Sequence, residues 1–497
     1  MNTFYHSTRS TEHTVTSKQA ILAGIAPDGG LYVSDLLGEA RVDLSRVVQE
    51  DYRATARRVL GTLLPDFSDD EIASCVAGAY GHNFDSPEVA PLAPLGHDWL
   101  LELWHGPTCA FKDVALQMLP RLMGVARQAG GAGSQGVMVV TATSGDTGKA
   151  ALAGFADVEG TGVTVFYPAG KVSDVQRLQM VTQQGANVAV SGIRGTFDDA
   201  QTEVKRIFAD AELRERLAAQ GVALSSANSI NVGRLVPQVT YYFTAYAQLV
   251  RMGAIVCGDE VEFCVPTGNF GDVLAGYYAK RLGLPVARLT VASNANNVLT
   301  DFLETGTYDR RRDFVKTISP SMDILVSSNL ERMLYYLTDG DCERVAAWMG
   351  QLASQGFYSI GDDLLERLRA TFGCGFATDD ETRATIRTAW EESHVLIDPH
   401  TAVAQTVVAR TPAQGRQRVV LSTANPYKFS ADVLAALGED VAGLDGFACM
   451  DRLQEKTGVA APAQLSGLRA LPELHQGVCD RAEMSQFVED ACARVFA

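Results

Sequence analysis

Residues 102–117 read ELWHGPTCAFKDVALQ, a stretch in which one cation, Lys112, stands at the threshold of an apolar helical run. A lysine so placed is ordinarily a surface side chain whose stem snorkels along apolar neighbours. In a desolvated pocket that also holds a phosphate, its amine can instead shed its proton and attack an aldehyde. The test is whether the chain also builds a phosphate seat.

It offers one at VPTGNFGD (265–272), where Gly268 and Gly271 flank Asn269 and Phe270 and the helical pattern DVLAGYYAKRL follows. Glycines let backbone approach a ligand closely, and the unpaired N–H groups of a helix start attract a phosphate without any lysine. A tight glycine-rich turn with no ligand is the competing reading of this stretch. SGDTG (144–148) is a second such turn, opening the helical KAALAGFADV. Helix capping explains Ser144 or Asp146 singly. It does not explain why Ser144, Asp146 and Thr147 cluster, whereas substrate or cofactor contact does. The cofactor that joins an aldehyde to a phosphate is pyridoxal phosphate.

These turns need a scaffold, and the sequence supplies one. Apolar runs of strand length recur at VMVVTAT (137–143), VTVFYP (163–168), NVAVSG (187–192), VEFCVPTG (261–268), ARLTVAS (287–293) and RVVLSTA (418–424), with amphipathic helical segments between them. Such alternation predicts an α/β fold with mostly parallel sheets covered on both faces by helices. Ligands in such folds sit beyond the carboxyl ends of strands, where the two turns above and LSTANPYKFSAD (421–432) all fall. Residues 1–92 read as a separate amino-terminal domain of short helices. Residues 93–435 read as a catalytic region of two lobes, with about 125–235 the movable one, and 436–497 as a carboxy-terminal helical extension. GAGSQG (131–136) fits a dinucleotide-binding pattern but precedes a strand instead of following one, and GDTGK (145–149) lacks the phosphate-loop spacing and the magnesium-binding hydroxyl.

Composition removes other classes. The 497-residue chain carries a formal charge of −17 and no Lys/Arg run, which argues against nucleic-acid or anionic-membrane partners. No secretory h-region and no bilayer-length apolar stretch is visible, so a cytoplasmic protein is expected. The nine scattered cysteines contain no C-x-x-C pair, which predicts reduced core thiols and no zinc site, and no metal ligand set is expected elsewhere.

HGPTCAFKDVALQ, ATSGDTGKAA, NSINVGRLVPQ (228–238), PTGNFGD, SPSMDILVSSNLERM (319–333) and LSTANPYKF (421–429) resemble the threonine synthases, in the fold type II branch of pyridoxal-phosphate enzymes. The blocks keep that family's order from about residue 7 to 430. The resemblance implies that Lys112 is the Schiff-base lysine and that the backbone of Gly268, Asn269, Phe270, Gly271 and Asp272 holds the cofactor phosphate. Thr423 would meet the pyridine nitrogen, where a neutral hydroxyl favours elimination over transamination. Ser144, Gly145, Asp146 and Thr147 would receive the substrate carboxylate. Asn228, Asn231 and Arg234, with Lys149, would hold the phosphate of O-phosphohomoserine. The implied lyase reaction is γ-elimination of phosphate followed by addition of water at the β carbon, giving threonine, with Lys112 as carrier and proton shuttle; a monomer or homodimer is expected. Alternatives on the same scaffold are a phospholyase releasing 2-oxobutyrate and a noncatalytic metabolite-binding homologue, which would have lost the Lys112 amine. Trp104, Cys109, Val232 and Asn425 depart from the family pattern, and none removes a group the mechanism needs. His105 is a packing residue on this reading.

Overall fold

The computed structural model describes residues 4–129, 135–143, 145–411 and 415–496. Two sheets dominate. Their strands in chain order are β1 (Leu92–Leu95), β2 (Asp98–Glu102), β3 (Gly136–Ala142), β4 (Thr161–Pro168), β5 (Val188–Ile193), β6 (Val222–Ser225), β7 (Val261–Pro266), β8 (Val286–Ser293), β9 (Phe372–Phe376), β10 (Gln417–Ser422) and β11 (Val478–Cys479). The larger sheet runs β9-β8-β7-β10-β2-β1, parallel except for the β1–β2 hairpin at one edge. The smaller, wholly parallel, runs β11-β5-β4-β3-β6. Every residue of β4 is buried, as a strand covered on both faces requires. The α/β fold expected from the apolar runs is the fold observed.

Two departures concern the chain ends. The amino-terminal segment is not helical throughout: Tyr5–Ser7, Ser10–Val15 and Tyr32–Ser34 form an antiparallel three-stranded sheet. These strands are short, and the first two are parted by only two residues, so no long periodic signal marks them. The tail is not purely a helical extension either, because β11 adds an edge strand to the smaller sheet, and helix Met484–Val495 buries Met484, Val488 and Cys492 against that lobe.

The helices that matter to the site are α1 (Ser17–Ala23), α2 (Lys112–Gln128), α3 (Asp146–Phe155), α4 (Val232–Arg251) and α5 (Gly271–Arg281). Helix α2 contains Pro120, whose missing N–H leaves the Leu116 carbonyl without its intrahelical donor. Helix α3 crosses at that carbonyl through Gly154, where a Cβ would lie 1.9 Å from Leu116 O. Only a glycine permits this crossing, which seats the end of α3 on the first turns of α2. Gly154→Ala is therefore expected to destabilise the protein by about 2 kcal/mol or more through forced separation of the helices. A lowered urea midpoint checks this, while an unchanged one would show that the helices separate freely.

Candidate active site

The loop before α2 is tied to the end of β10. Leu103 N–H donates to Ser422 O (2.9 Å), Phe111 N–H to Thr423 O (2.8 Å) and Asn425 N–H to Cys109 O (3.1 Å). Within the loop, Asp113 accepts from Thr108 N–H (2.9 Å) and from its hydroxyl (2.7 Å). Gly106 is needed because a Cβ there would approach the Asp113 Cβ to 2.5 Å. Lys112 is thereby fixed as the first residue of α2, with buried Thr423 on the strand end stitched to it. Burial lifts the Asp113 carboxyl to about 6.

Lys112 forms no ion pair among the described residues, and its nitrogen lies 4.7 Å from the Phe111 ring centre. Burial pushes the amine down to about 8, opposed by Asp146 and reinforced by the cations Arg234 and Lys428. A lysine with that poise exposes a free amine near neutral pH.

The turn after β7 runs from strand directly into helix. Phe270 is left-handed (φ +64°) and brings the chain into α5 at Gly271. A Cβ at Gly268 would sit 3.0 Å from Ser321 O, and one at Gly271 would sit 3.3 Å from the Asn329 amide. Asn269 Oδ1 accepts from Gly271 N–H (3.2 Å), its Nδ2 donates to Ser229 Oγ (2.5 Å), and its carbonyl accepts from Asn329 N–H (3.0 Å). Ser327 Oγ donates to Gly268 O (2.8 Å). Asp272 is buried, accepts from Tyr241 OH (2.5 Å) and Tyr242 OH (3.1 Å), and leaves its Oδ2 without a partner. Burial raises this carboxyl to about 7, and the Lys112 charge works against that rise, so the amine and the cradle lie within electrostatic reach.

At the start of α3, one Asp146 oxygen faces two ammonium groups: Lys149 Nζ at 2.9 Å and Lys428 Nζ at 3.0 Å. The Lys149 contact is a charge pair whose angles do not make a hydrogen bond. All three side chains are at most 3% exposed. The lysines hold Asp146 well below the usual carboxylate range against the burial that would raise it, and burial brings Lys149 down to about 7. Gly145 is half-buried and donates its N–H to Thr143 Oγ1 (3.0 Å); Thr147 is half-buried. Ser144 lies outside the described residues, as do residues 131–134 of the GAGSQG loop.

The remaining expected residues divide. Arg234 is buried and, among the described residues, has no carboxylate partner; one nitrogen donates to Ala227 O (2.8 Å) and its Nε finds no acceptor among them. Burial alone brings it down to about 10, the mark of a guanidinium awaiting an anion. Asn231 is occupied: its Oδ1 caps α4 at Gly233 N–H (2.9 Å) and its Nδ2 donates to Ile21 O of α1 (2.9 Å). Asn228 is exposed, and its side chain accepts from the Ser229 hydroxyl (3.3 Å). A cavity of about 320 Å³ lies behind the cradle, lined by Arg9, Ile230, Ser327 and Tyr358, and does not reach Lys112. His105, stacked on Trp104 and bonded to Asp85 and Glu102, makes a structural ion pair.

Sequence reasoning passed over Lys428, Ser229, Asn329 and Arg332, each inside a motif block it had quoted or beside one. Arg332, fully buried, donates to Asn329 Oδ1 (2.5 Å), Ile230 O (2.6 Å) and Tyr32 O (2.8 Å), joining the cradle to the amino-terminal sheet.

A half-buried amine without an ion pair and a buried arginine without a carboxylate partner among the described residues, with a glycine-bounded helix start, at the strand ends of a parallel α/β fold suit an enzyme that uses pyridoxal phosphate. Residues 90–361 match the pyridoxal-phosphate-dependent enzyme family, residues 4–80 the threonine synthase N terminus and residues 401–488 the threonine synthase C-terminal family. The threonine synthase of Pseudomonas aeruginosa is 37% identical over 95% of this chain and 98% of its own. The PLP-bound threonine synthase crystal structure from Brucella melitensis superposes with a TM-score of 0.89 at 36% identity, covering 100% of both chains. Human threonine synthase-like 1 is 36% identical over 97% of this chain, which spans only 65% of that protein's length. The chain belongs to the threonine synthase family.

Asp113 and Asp272 bind protons more tightly in the folded chain than in the unfolded one, so their contribution is full below pH ~4 and lost as pH rises through about 6 and about 7. Cofactor-free protein should therefore show a higher urea midpoint at pH 5 than at pH 8. Asp272→Asn should narrow that gap, and a gap of unchanged size would show that Asp272 does not titrate in this range.

Proposed function

We propose that the chain is a threonine synthase, converting O-phosphohomoserine and water to threonine and phosphate. The observation that carries this reading is the half-buried Lys112 amine, free of any ion pair among the described residues and lowered to about 8, within electrostatic reach of the Gly268–Asp272 turn. The turn suits a phosphate: side chains at Gly268 and Gly271 would crowd their neighbours, and α5 opens there with no capping side chain from Phe270. Gly268, Asn269, Phe270, Gly271 and Asp272 would hold the cofactor phosphate, Lys112 the aldehyde carbon, and Thr423 the ring nitrogen. Bound there, pyridoxal phosphate would supply the electron sink for carbanion chemistry beside an amino acid's α carbon.

The chain's own residues do the rest. Lys112 Nζ takes the proton from the substrate α carbon and returns protons later, a role suited to an amine poised near neutrality. Arg234, with its unsatisfied Nε, pairs with the substrate phosphate and stabilises the departing dianion. Lys149 adds positive charge at the same end. Gly145, Asp146 and Thr147, with Ser144, form the seat for the substrate carboxylate at the start of α3. We further assign residues 1–92 to an amino-terminal domain, 93–435 to the catalytic region with 125–235 as its movable lobe, and 436–497 to the carboxy-terminal extension.

The chain is equally similar, at 36% identity, to human threonine synthase-like 1 and to the threonine synthase of Schizosaccharomyces pombe, so a second reading on the same groups stands beside the first. On that reading the same groups eliminate phosphate, water is not added at the β carbon, and 2-oxobutyrate and ammonia are released.

Purified protein incubated with pyridoxal phosphate should gain a visible absorption band that Lys112→Ala lacks. With O-phosphohomoserine it should release threonine and phosphate in equal amounts; 2-oxobutyrate as main product would select the second reading. Protein that stays colourless and releases no phosphate would reject both. Arg234→Ala should raise KM for O-phosphohomoserine by roughly tenfold to a hundredfold, the loss of a charge-assisted contact of about 1.5–3 kcal/mol, with little effect on the band.

A further inference from the structure

Lys428 belongs to none of the roles assigned above, yet it is the point at which three segments of the site meet. It lies in the turn after β10, with its side chain 1% exposed. Its ammonium donates to Thr108 O (2.6 Å), in the loop that fixes Lys112, and pairs with Asp146 Oδ1 (3.0 Å) at the start of α3. Gln179 also donates to Thr108 O (3.3 Å), and Ser321 Oγ, beside the cradle, donates to Asp146 Oδ2 (3.4 Å). The Asp146 carboxylate is thus claimed by Lys428, Lys149 and Ser321, and Lys112 is left without an ion pair among the described residues.

A buried lysine beside an available carboxylate would form an ion pair and keep its proton, which disables it as nucleophile and base. We propose that Lys428 is a positioning residue for Lys112: by holding Asp146 and the Thr108 carbonyl together, it diverts the carboxylate from the Lys112 amine and keeps α3 seated over it. This inference rests on the reading of Lys112 as the reactive amine. The charged groups acting on Lys112 are Asp146 and Asp113, which favour its protonation, and Arg234 and Lys428, which oppose it. Its charge is also felt by Lys149 and Asp272. Removing the Lys428 charge lifts one opposing term and frees Asp146 to approach, so both consequences raise the affinity of Lys112 for its proton. Removing the Asp146 charge acts in the opposite sense.

Competitive acetylation of the cofactor-free protein with acetic anhydride across pH, read on the Lys112 peptide by mass spectrometry, measures that proton affinity without catalysis. Lys428→Met should move the Lys112 midpoint up by about one unit, leaving roughly tenfold less free amine at neutral pH. Lys428→Arg, which keeps the charge, should leave the midpoint near that of wild type, and Asp146→Asn should move it down. A Lys428→Met midpoint equal to wild type, or displaced downward, overturns the proposal. Should Lys428→Met fail to fold, Asp146→Asn decides, since an unmoved midpoint there removes the diverted carboxylate on which the inference depends. A wild-type band with pyridoxal phosphate alongside an unmoved midpoint rejects only this inference. A missing band rejects the functional reading instead.

Discussion

One carboxylate shared by two buried ammonium groups is the constraint on which the site depends. Asp146 offers a single oxygen to Lys149 and Lys428, at 2.9 and 3.0 Å, in a region where burial makes every unpaired charge expensive. Two further cations, Lys112 and Arg234, stand nearby with no carboxylate paired to either among the described residues. The described residues therefore leave excess positive charge at the strand ends, and anionic ligands relieve it. On the proposed reading, a cofactor phosphate at the start of α5 and a phosphorylated amino acid near Arg234 would supply the missing negative charge. The free site is accordingly less stable than it could be, the usual exchange of stability for function at a pre-organised centre.

The fold serves this arrangement by bringing strand ends from two sheets face to face. The loop of Lys112 is stitched by backbone hydrogen bonds to the end of β10, so the amine and Thr423 form one rigid edge. Helix α3 follows a strand of the smaller sheet; its end packs on α2 through Gly154, at the carbonyl left open by Pro120, and its start is tied to the Lys112 loop by Lys428. Behind the cradle, Arg332 joins Asn329, Ile230 and Tyr32, so the amino-terminal segment is wired to the phosphate turn. The tail contributes β11 to the smaller sheet and a bidentate Arg177–Glu473 pair beside it.

Much of this is legible in the sequence because backbone chemistry leaves local marks. The glycine pair around Asn269 and Phe270 shows where a chain turns from strand to helix, and the buried strands announce themselves as unbroken apolar runs. What is not legible depends on partners distant in the chain. Lys428 stands in NPYKF among aromatic and apolar residues, where a snorkelling cation is the ordinary expectation; its partner Asp146 lies far earlier in the chain, at the start of α3. Asn231 reads as a ligand group, yet a cap at Gly233 and a bond to Ile21 occupy it, a commitment visible only once α1 is seen against α4. The short amino-terminal strands escape because three-residue strands carry no periodicity.

The central claim is that, of three neighbouring lysines, Lys112 alone is free to meet an aldehyde. Borohydride reduction of protein loaded with pyridoxal phosphate, followed by peptide mapping, locates the attached pyridoxyl group directly. The account predicts one group per chain, on the peptide carrying Lys112. Attachment at Lys149 or Lys428, or at none of the three, would contradict it.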